Sequence, residues 1–379
     1  MAVPRVLALD ASPYGINAHV ARDSVLESLA SIGIRWLRVD VDWDLIETRP
    51  GVYDWRAVDG VLATARRLGL AVLASVAYTP AWASGSSDRA TPPRDPTTFH
   101  GFVRTLLQRH GALLQALGIW NEPNLRQFFN GTRDQYLRDI LLPSLQVVRE
   151  TAPGVATAGP DLSSAGNPIR DWLRPVLEAA GSMLDVIAHH QYDAGDTLSG
   201  RVSAIEGLHA FLDQQGYAQP LWITEIGWDD VSDDEQAGLL RGVMDAMRAR
   251  PWWRKTFWYD SHGPAWGILA DDASPQPGAP KASYFAYRDV ISQGVTMPDF
   301  RHVITLAYNR ILLRQPDPEG LEGYNRAMNS GLTEAQLHEA LLRSPEYAQR
   351  FPDAQRAARS KARSRAGGAR RKPARRRRG

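Results

Sequence analysis

The chain has 379 residues, 44% of them hydrophobic and 23% charged, and no cysteine. That length supplies one large α/β domain plus a small second one, and the lack of cysteine excludes disulfides, thiolate metal sites and a cysteine nucleophile. The net charge of +2 joins two unlike parts: 12 of the 44 basic residues lie in 356–379, which holds no acid, so residues 1–355 carry 32 basic against 42 acidic groups, a net of −10.

In chain order, short apolar runs alternate with amphipathic ones. Strands are expected at Gly15–His19, Ile34–Val39, Ala71–Val76, Ala116–Trp120, Val155–Ala158, Leu184–His189, Leu221–Thr224 and Lys255–Trp258. Helices are expected between them at Asp23–Ser31, Trp55–Leu68, Thr97–Arg109, Arg133–Glu150, Ile169–Ala179, Val202–Gln214 and Asp233–Arg248, with Ala282–Ser292 closing the series. Eight apolar strands, each followed by a helix, describe an α/β fold of the (β/α)8 TIM-barrel type. The rival open doubly wound sheet lacks its Gly-rich phosphate loop. The barrel domain is placed at residues 1–295.

A Pro- and Asp-rich loop, 271–280, separates the eighth strand from its helix. A small all-α domain is placed at 296–353, with helices at Phe300–Leu312, Pro318–Ser330, Thr333–Leu342 and Ser344–Arg350. Thr333 and Ser344 are expected N-caps, with Pro345 at the first helical position. Residues 354–379 are Ala, Arg, Ser, Gly and Lys with almost nothing to bury, so a disordered Arg-rich tail is expected. Clustered arginine suits contact with anionic polymers or surfaces. No run approaches the roughly 18 apolar residues of a membrane span. The run Val6–Leu9 stops at Asp10, so no secretory leader is expected, and localisation stays open.

The chemistry is expected at the C-terminal strand ends, which open on one face of a parallel barrel. Glu122 ends the fourth strand in Ile119-Trp120-Asn121-Glu122-Pro123-Asn124, and Glu225 ends the seventh in Leu221-Trp222-Ile223-Thr224-Glu225. A carboxylate ending a buried strand is costly unless it is paired or used. Two of them suggest the carboxyl pair of glycoside hydrolysis, one protonated and one ionised. Pro123 disfavours helix at Glu122 and leaves its side chain free to project from a turn. Alternation puts Leu221, Ile223 and Glu225 on one face, so Trp222 is expected under the helices if Glu225 points into the barrel mouth. Arg38 can pair with Glu225 and favour its ionised form. Asn121 can bind a sugar hydroxyl, Tyr192 can donate to Glu225, and His190 can contact sugar or order the site. His19 is a further substrate-contact candidate at its strand end. Trp43, Trp82, Trp228 and Trp258, together with Trp266, offer flat faces for sugar rings, whereas Trp36, Trp120, Trp172 and Trp222 read as core. Asp40, Asp42 and Asp44 could bind sugar hydroxyls or form a solvated loop. His189-His190 lacks a third ligand at useful spacing, so neither a metal nor a cofactor is expected.

With these residues the chain resembles the retaining (β/α)8 glycoside hydrolases of clan A, most of all family 39 and its neighbours in family 5, over about residues 14–292. Asn121-Glu122-Pro123-Asn124 resembles that clan's acid/base motif and Ile223-Thr224-Glu225-Ile226-Gly227-Trp228 its nucleophile strand. Trp36-Leu37-Arg38, Trp43, Gly51-Val52-Tyr53-Asp54-Trp55, His190-Gln191-Tyr192 and Trp258 resemble further strand ends and loops. The resemblance implies Glu122 as acid/base, Glu225 as nucleophile, Tyr192 and Arg38 as its supports, and a polysaccharide or oligosaccharide substrate cleaved without a cofactor by a monomer. A transglycosylase using the same site, or a non-catalytic carbohydrate-binding protein of the cell envelope, are the alternative readings. Leu312–Leu321 followed by Ser344-Pro345-Glu346-Tyr347 resembles the small domain of unknown function 4214, which implies an appended module. Cell-envelope or secreted placement suits that function.

Overall fold

A computed structural model describes residues 12–165, 169–193, 195–270, 278–293, 300–329, 332 and 334–352. The tail expectation and the Thr333 cap therefore fall outside the described residues. The described residues divide into two compact units, 12–293 and 300–352.

In the first unit eight parallel strands close into a barrel in chain order. They are β1 (Tyr14–Asn17), β2 (Trp36–Asp42), β3 (Ala71–Ala77), β4 (Ala116–Ile119), β5 (Ala156–Ser163), β6 (Val186–His190), β7 (Leu221–Ile226) and β8 (Trp253–Trp258), with β1 pairing β8. The main helices are α1 (Asp23–Ser31), α2 (Arg56–Leu68), α3 (Pro96–His110), α4 (Leu142–Thr151), α5 (Ile169–Ala180), α6 (Leu198–Gln214), α7 (Asp233–Arg248) and α8 (Ala282–Ser292). The expected TIM barrel is borne out. Local signals start several helices: Asp95 caps α3 ahead of Pro96, and Ser232 with Glu235 forms a capping box on α7, each satisfying amide donors left open by the first turn. The single helix expected over Arg133–Glu150 instead contains a π-helical stretch, Tyr136–Leu141, before α4.

The barrel interior is filled unevenly. Trp36, Trp222 and Phe257 from β2, β7 and β8 meet Ala71, Leu73, Ala116, Ala156, Ala158, Val186 and Ala188 from β3 to β6. Large side chains on one side thus fit small ones on the other, as close packing requires. Gly15 on β1 is part of this fit, since a Cβ there would sit 2.6 Å from the Phe257 ring. Leu221 and Ile223 belong to the separate layer between barrel and helices.

This corrects the expected orientation of β7. Trp222 lies inside the barrel, with its ring centroid 5.2 Å from that of Trp36, and not under the helices. Strict alternation would then send Glu225 outward. The pairing of β7 with both neighbours slips: His189 pairs with Ile223 but His190 with Glu225, and on the other side Ile223 pairs with Thr256 but Ile226 with Trp258. The extra residue at the slip resets the alternation, so Trp222, Thr224 and Glu225 all reach inward-facing partners.

The second unit holds α9 (Arg301–Ile311), α10 (Pro318–Asn329), α11 (Glu334–Arg343) and α12 (Pro345–Arg350). Phe300, Val303, Ile304, Ala307, Tyr308, Ile311, Leu312, Met328, Leu337 and Leu341 form its core. Ser344 caps α12 by accepting from the Tyr347 amide at 3.1 Å, as expected. Among the described residues no helix is long and apolar enough to cross a membrane.

Candidate active site

Five non-glycine residues near or just beyond C-terminal strand ends have positive φ: His19 (51°), Tyr78 (68°), Trp120 (75°), Glu122 (43°) and, two residues before the end of β5, Asp161 (52°). Side chains seldom adopt this left-handed region, and residues held there cluster at functional sites. Three of the five, His19, Tyr78 and Glu122, line one cavity of about 940 Å³ at this end of the barrel, which Arg38, Asn121 and Glu225 also help to enclose.

Glu225 is 7% exposed. Arg38 Nη1 donates to its Oε1 at 2.6 Å, and the Tyr192 hydroxyl donates to its Oε2 at 2.6 Å. Arg38 is itself buried, and its two Nη groups also donate to Asn17 (3.0 Å), Ser75 (3.3 Å) and Asn121 (2.8 Å). Burial opposes the guanidinium charge, but Glu225, Asp161 and Asp40 outweigh it and raise the Arg38 pKa. Burial, together with the Glu225 charge, keeps the Tyr192 phenol far above its ordinary range, so it remains a donor. Asn121 turns its carbonyl to Arg38 and leaves its amide toward the Tyr78 hydroxyl at 3.5 Å.

Glu122 is 5% exposed, and its amide donates to the Asp161 carbonyl at 3.1 Å. The turn expected from Pro123 is present, in the left-handed form. His190 Nδ1 lies 2.9 Å from Glu122 Oε1 and 3.4 Å from Glu225 Oε1. Its Nε2 lies 3.4 Å from Asp161 Oδ1. Burial alone would strip the imidazole of its second proton. Glu225, with the contacts to Asp161 and Glu122, reverses this and raises its pKa to about 9. Glu122, His190 and Glu225 each present one atom within 4.8 Å of the others. The third and fourth partners that sequence spacing did not offer to His189-His190 thus come from other strands. His189 itself turns away to the Leu162 carbonyl and Gln191. The cluster brings an imidazole into contact with two carboxyl groups, the parts of a hydrogen-bonded acid–base group.

At the cavity rim His19 sits between Asp40 (2.6 Å) and Asp260 (3.3 Å). Burial lowers its affinity for protons, but hydrogen bonds to Asp260 and Asp40 more than compensate and raise its pKa to about 11. Arg89 pairs with Asp42 and with Asp44 at 2.8 Å and lies 3.8 Å from the Tyr78 ring centroid. Burial and the neighbouring Asp40 and Asp44 charges still push the Asp42 carboxyl up to about 6.

The tryptophans largely depart from expectation. Trp43 and Trp258 are fully buried, Trp228 is 2% exposed, and none of them lines the cavity. Trp43 packs on Phe99, Phe102 and Trp82 and donates to Glu47 at 2.7 Å. Trp82 donates to the Glu47 carbonyl at 2.6 Å. Trp228 lies under the Arg201 guanidinium, and Trp258 packs beside Trp228. Trp266 does face the cavity, with Tyr78, Tyr192 and Tyr259. Sequence reasoning missed Asp161, Tyr78, Tyr259, Asp260 and Arg201. An aspartate directly after Pro160 in an otherwise apolar run was the one available signal.

Residues 95–274 match the glycosyl hydrolase catalytic core family, and residues 291–351 match a domain of unknown function, DUF4214. Among solved structures the chain is similar to a family 39 glycoside hydrolase from Bacteroides cellulosilyticus WH2, at 20% identity and TM-score 0.58, covering 74% of this chain and 63% of that one. It is similar to a monomeric beta-xylosidase from Caulobacter crescentus CB15, at 17% identity and TM-score 0.59, covering 73% and 67%. It is also similar to GH5_18 from Streptomyces cattleya, at 18% identity and TM-score 0.59, covering 76% and 80%. Chloroplastic beta-amylase 1 of Arabidopsis thaliana is 33% identical over 76 residues, so the chain spans only 13% of that relative's length. The chain is thus similar to glycosyl hydrolase catalytic cores over residues 95–274 and to DUF4214 over residues 291–351.

Proposed function

For a chain similar to glycosyl hydrolase catalytic cores, we propose a retaining glycoside hydrolase acting on an oligosaccharide or polysaccharide, with Glu225 as nucleophile and Glu122 as acid/base. The observation that carries this reading is the approach of the two carboxyl groups: an oxygen of Glu122 and one of Glu225 lie within 4.8 Å of each other. Retaining enzymes hold these groups about 5 to 5.5 Å apart, whereas inverting ones need about 6.5 to 9.5 Å to admit a water.

The environments divide the roles. Glu225 receives a guanidinium donor and a phenol, one on each oxygen, which suits a carboxylate that must attack while ionised. Glu122 has the imidazole as its partner and an oxygen left to face the substrate. Glu225 attacks the anomeric carbon as Glu122 gives a proton to the departing glycosidic oxygen, leaving a covalent glycosyl-enzyme. Glu122 then takes a proton from water, which attacks the same carbon and frees Glu225. Asn121, His19, Tyr78 and Trp266 stand where a sugar would lie against the cavity wall.

The test is a panel of aryl glycosides and bacterial polysaccharides, with products sized. Glu225→Ala should lose turnover of any substrate found. Glu122→Ala should retain glycosylation of substrates with good leaving groups and regain turnover with azide, which needs no general base. Undiminished turnover by Glu225→Ala removes it from the nucleophile role. A sugar acceptor outcompeting water in the product analysis would make the same site a transglycosylase.

A further inference from the structure

Asp161 is a carboxylate that the reaction above does not use. It is 1% exposed, lies two residues before the end of β5 in the left-handed region, and touches Arg38 and Glu122, which line the cavity. Four functional strands converge on it. The Thr224 hydroxyl from β7 donates to Oδ1, His190 Nε2 from β6 lies 3.4 Å from that oxygen, Arg38 Nη2 from β2 lies 3.8 Å from Oδ2, and the Glu122 amide donates to its backbone carbonyl at 3.1 Å. Gly118 on β4 makes room for it, since a Cβ there would stand 2.9 Å from Oδ2.

We propose that Asp161 is a positioning residue whose charge, 3.4 Å from His190 Nε2 though not aligned as a hydrogen bond, keeps one ring proton on that nitrogen and so keeps a second, transferable proton on the hydrogen bond between His190 Nδ1 and Glu122 Oε1. The proposal rests on Glu122 being the acid/base. Three carboxylates, Glu122, Glu225 and Asp161, surround the ring, against the single guanidinium of Arg38. His189, next along the strand, is pushed down to about 4 by burial and stays neutral. Burial, with the Asp161 charge beside it, keeps Tyr136 from the π-helical stretch a neutral phenol. Burial opposes a charged Asp161, yet Arg38, with His190 and Thr224, holds its carboxyl below the usual range. The ring therefore has a carboxyl group at each nitrogen. When Glu122 releases a proton to the glycosidic oxygen, the shared proton leaves the His190–Glu122 pair and the Nε2 proton stays facing Asp161. When Glu122 takes a proton from water in the second step, the pair is refilled. No proton is gained or lost over the cycle.

Asp161→Asn preserves shape and an acceptor for Thr224 while removing the charge. The alkaline limb of kcat/KM on an aryl glycoside should then move to lower pH by about 1 to 3 units, the range for removing one close opposite charge. Thr224→Val removes the hydroxyl contact and keeps the charge, so its limb should stay in place. Equal movement in both variants, or an unmoved limb in folded Asp161→Asn, overturns the proposal. Nitrogen-15 imidazole spectra of the wild-type protein give a readout without turnover, with His190 assigned by its loss in His190→Gln. Both His190 nitrogens should be protonated at pH 7, and a bare Nε2 there overturns the proposal whether or not the variant folds. Absence of turnover by wild type on every glycoside counts instead against the glycosidase reading, and the spectra still decide the state of His190.

Discussion

Removing a single oxygen from Tyr192 isolates one hydrogen bond of the site. In Tyr192→Phe the ring keeps its edge contacts with Tyr259 and Trp266, at centroid distances of 6.2 and 5.8 Å, and the backbone amide keeps its bond to Ser164 at 2.9 Å. What disappears is the 2.6 Å donation to Glu225 Oε2. Hydrogen bonds to charged groups contribute about 1.5 to 3 kcal/mol, and each 1.36 kcal/mol is tenfold in rate. If the bond holds the nucleophile in its attacking geometry, kcat/KM should fall by about 10- to 150-fold. Activity should not vanish, because Arg38 still holds Oε1 at 2.6 Å. The assay is steady-state hydrolysis of an aryl glycoside, with thermal unfolding as the control. A loss under about threefold, or a loss that tracks a fall in Tm, would refute the view that this hydroxyl orients Glu225.

Arg38→Met leaves Glu225 and Asp161 buried without their guanidinium, and should cost about 3 to 5 kcal/mol of stability in urea unfolding; a cost under about 1 kcal/mol would contradict the pairing. Gly15→Ala pushes a methyl to 2.6 Å from the Phe257 ring and should destabilise by about 1 to 3 kcal/mol, with partial recovery when Phe257→Leu is added. His19 has a folded pKa of about 11, raised above its unfolded 6.5 by Asp260 and Asp40 against burial. Its contribution to stability is thus complete below about pH 6.5 and is lost as pH rises toward 11. Denaturation of wild type and His19→Gln at pH 6, 8 and 10 should show the difference between them shrinking with pH, and parallel curves would exclude the linkage.

Much of the barrel was legible because parallel buried strands must be short and apolar and must each be followed by an amphipathic helix. Seven of the eight expected strands lie within about two or three residues of the observed ones. The fifth does not: β5 runs on to Ser163 through Gly159-Pro160-Asp161, residues that read as a strand's end. Asp161 was lost with that extension. Glu122, Glu225, Arg38, Asn121, His190 and Tyr192 could be picked out because polar groups at the ends of buried strands are costly and stand out in an apolar run. The aromatic residues could not be sorted this way, because an indole satisfies core and sugar equally well. Trp43 and Trp258 went to the core and Trp266 to the cavity.

By itself, then, the sequence determined the repeating strand–helix order, the two glutamates at strand ends and the charge contrast between residues 1–355 and the tail, since all three are written in local periodicity and composition. Only the tertiary structure decided which way Glu225 and Trp222 face, because a register slip between neighbouring strands overrides the alternation of one strand alone. It alone brought Asp161, His190 and the two glutamates together, since closure of the barrel sets distances among residues that the chain separates by as many as 103 positions, from Glu122 to Glu225.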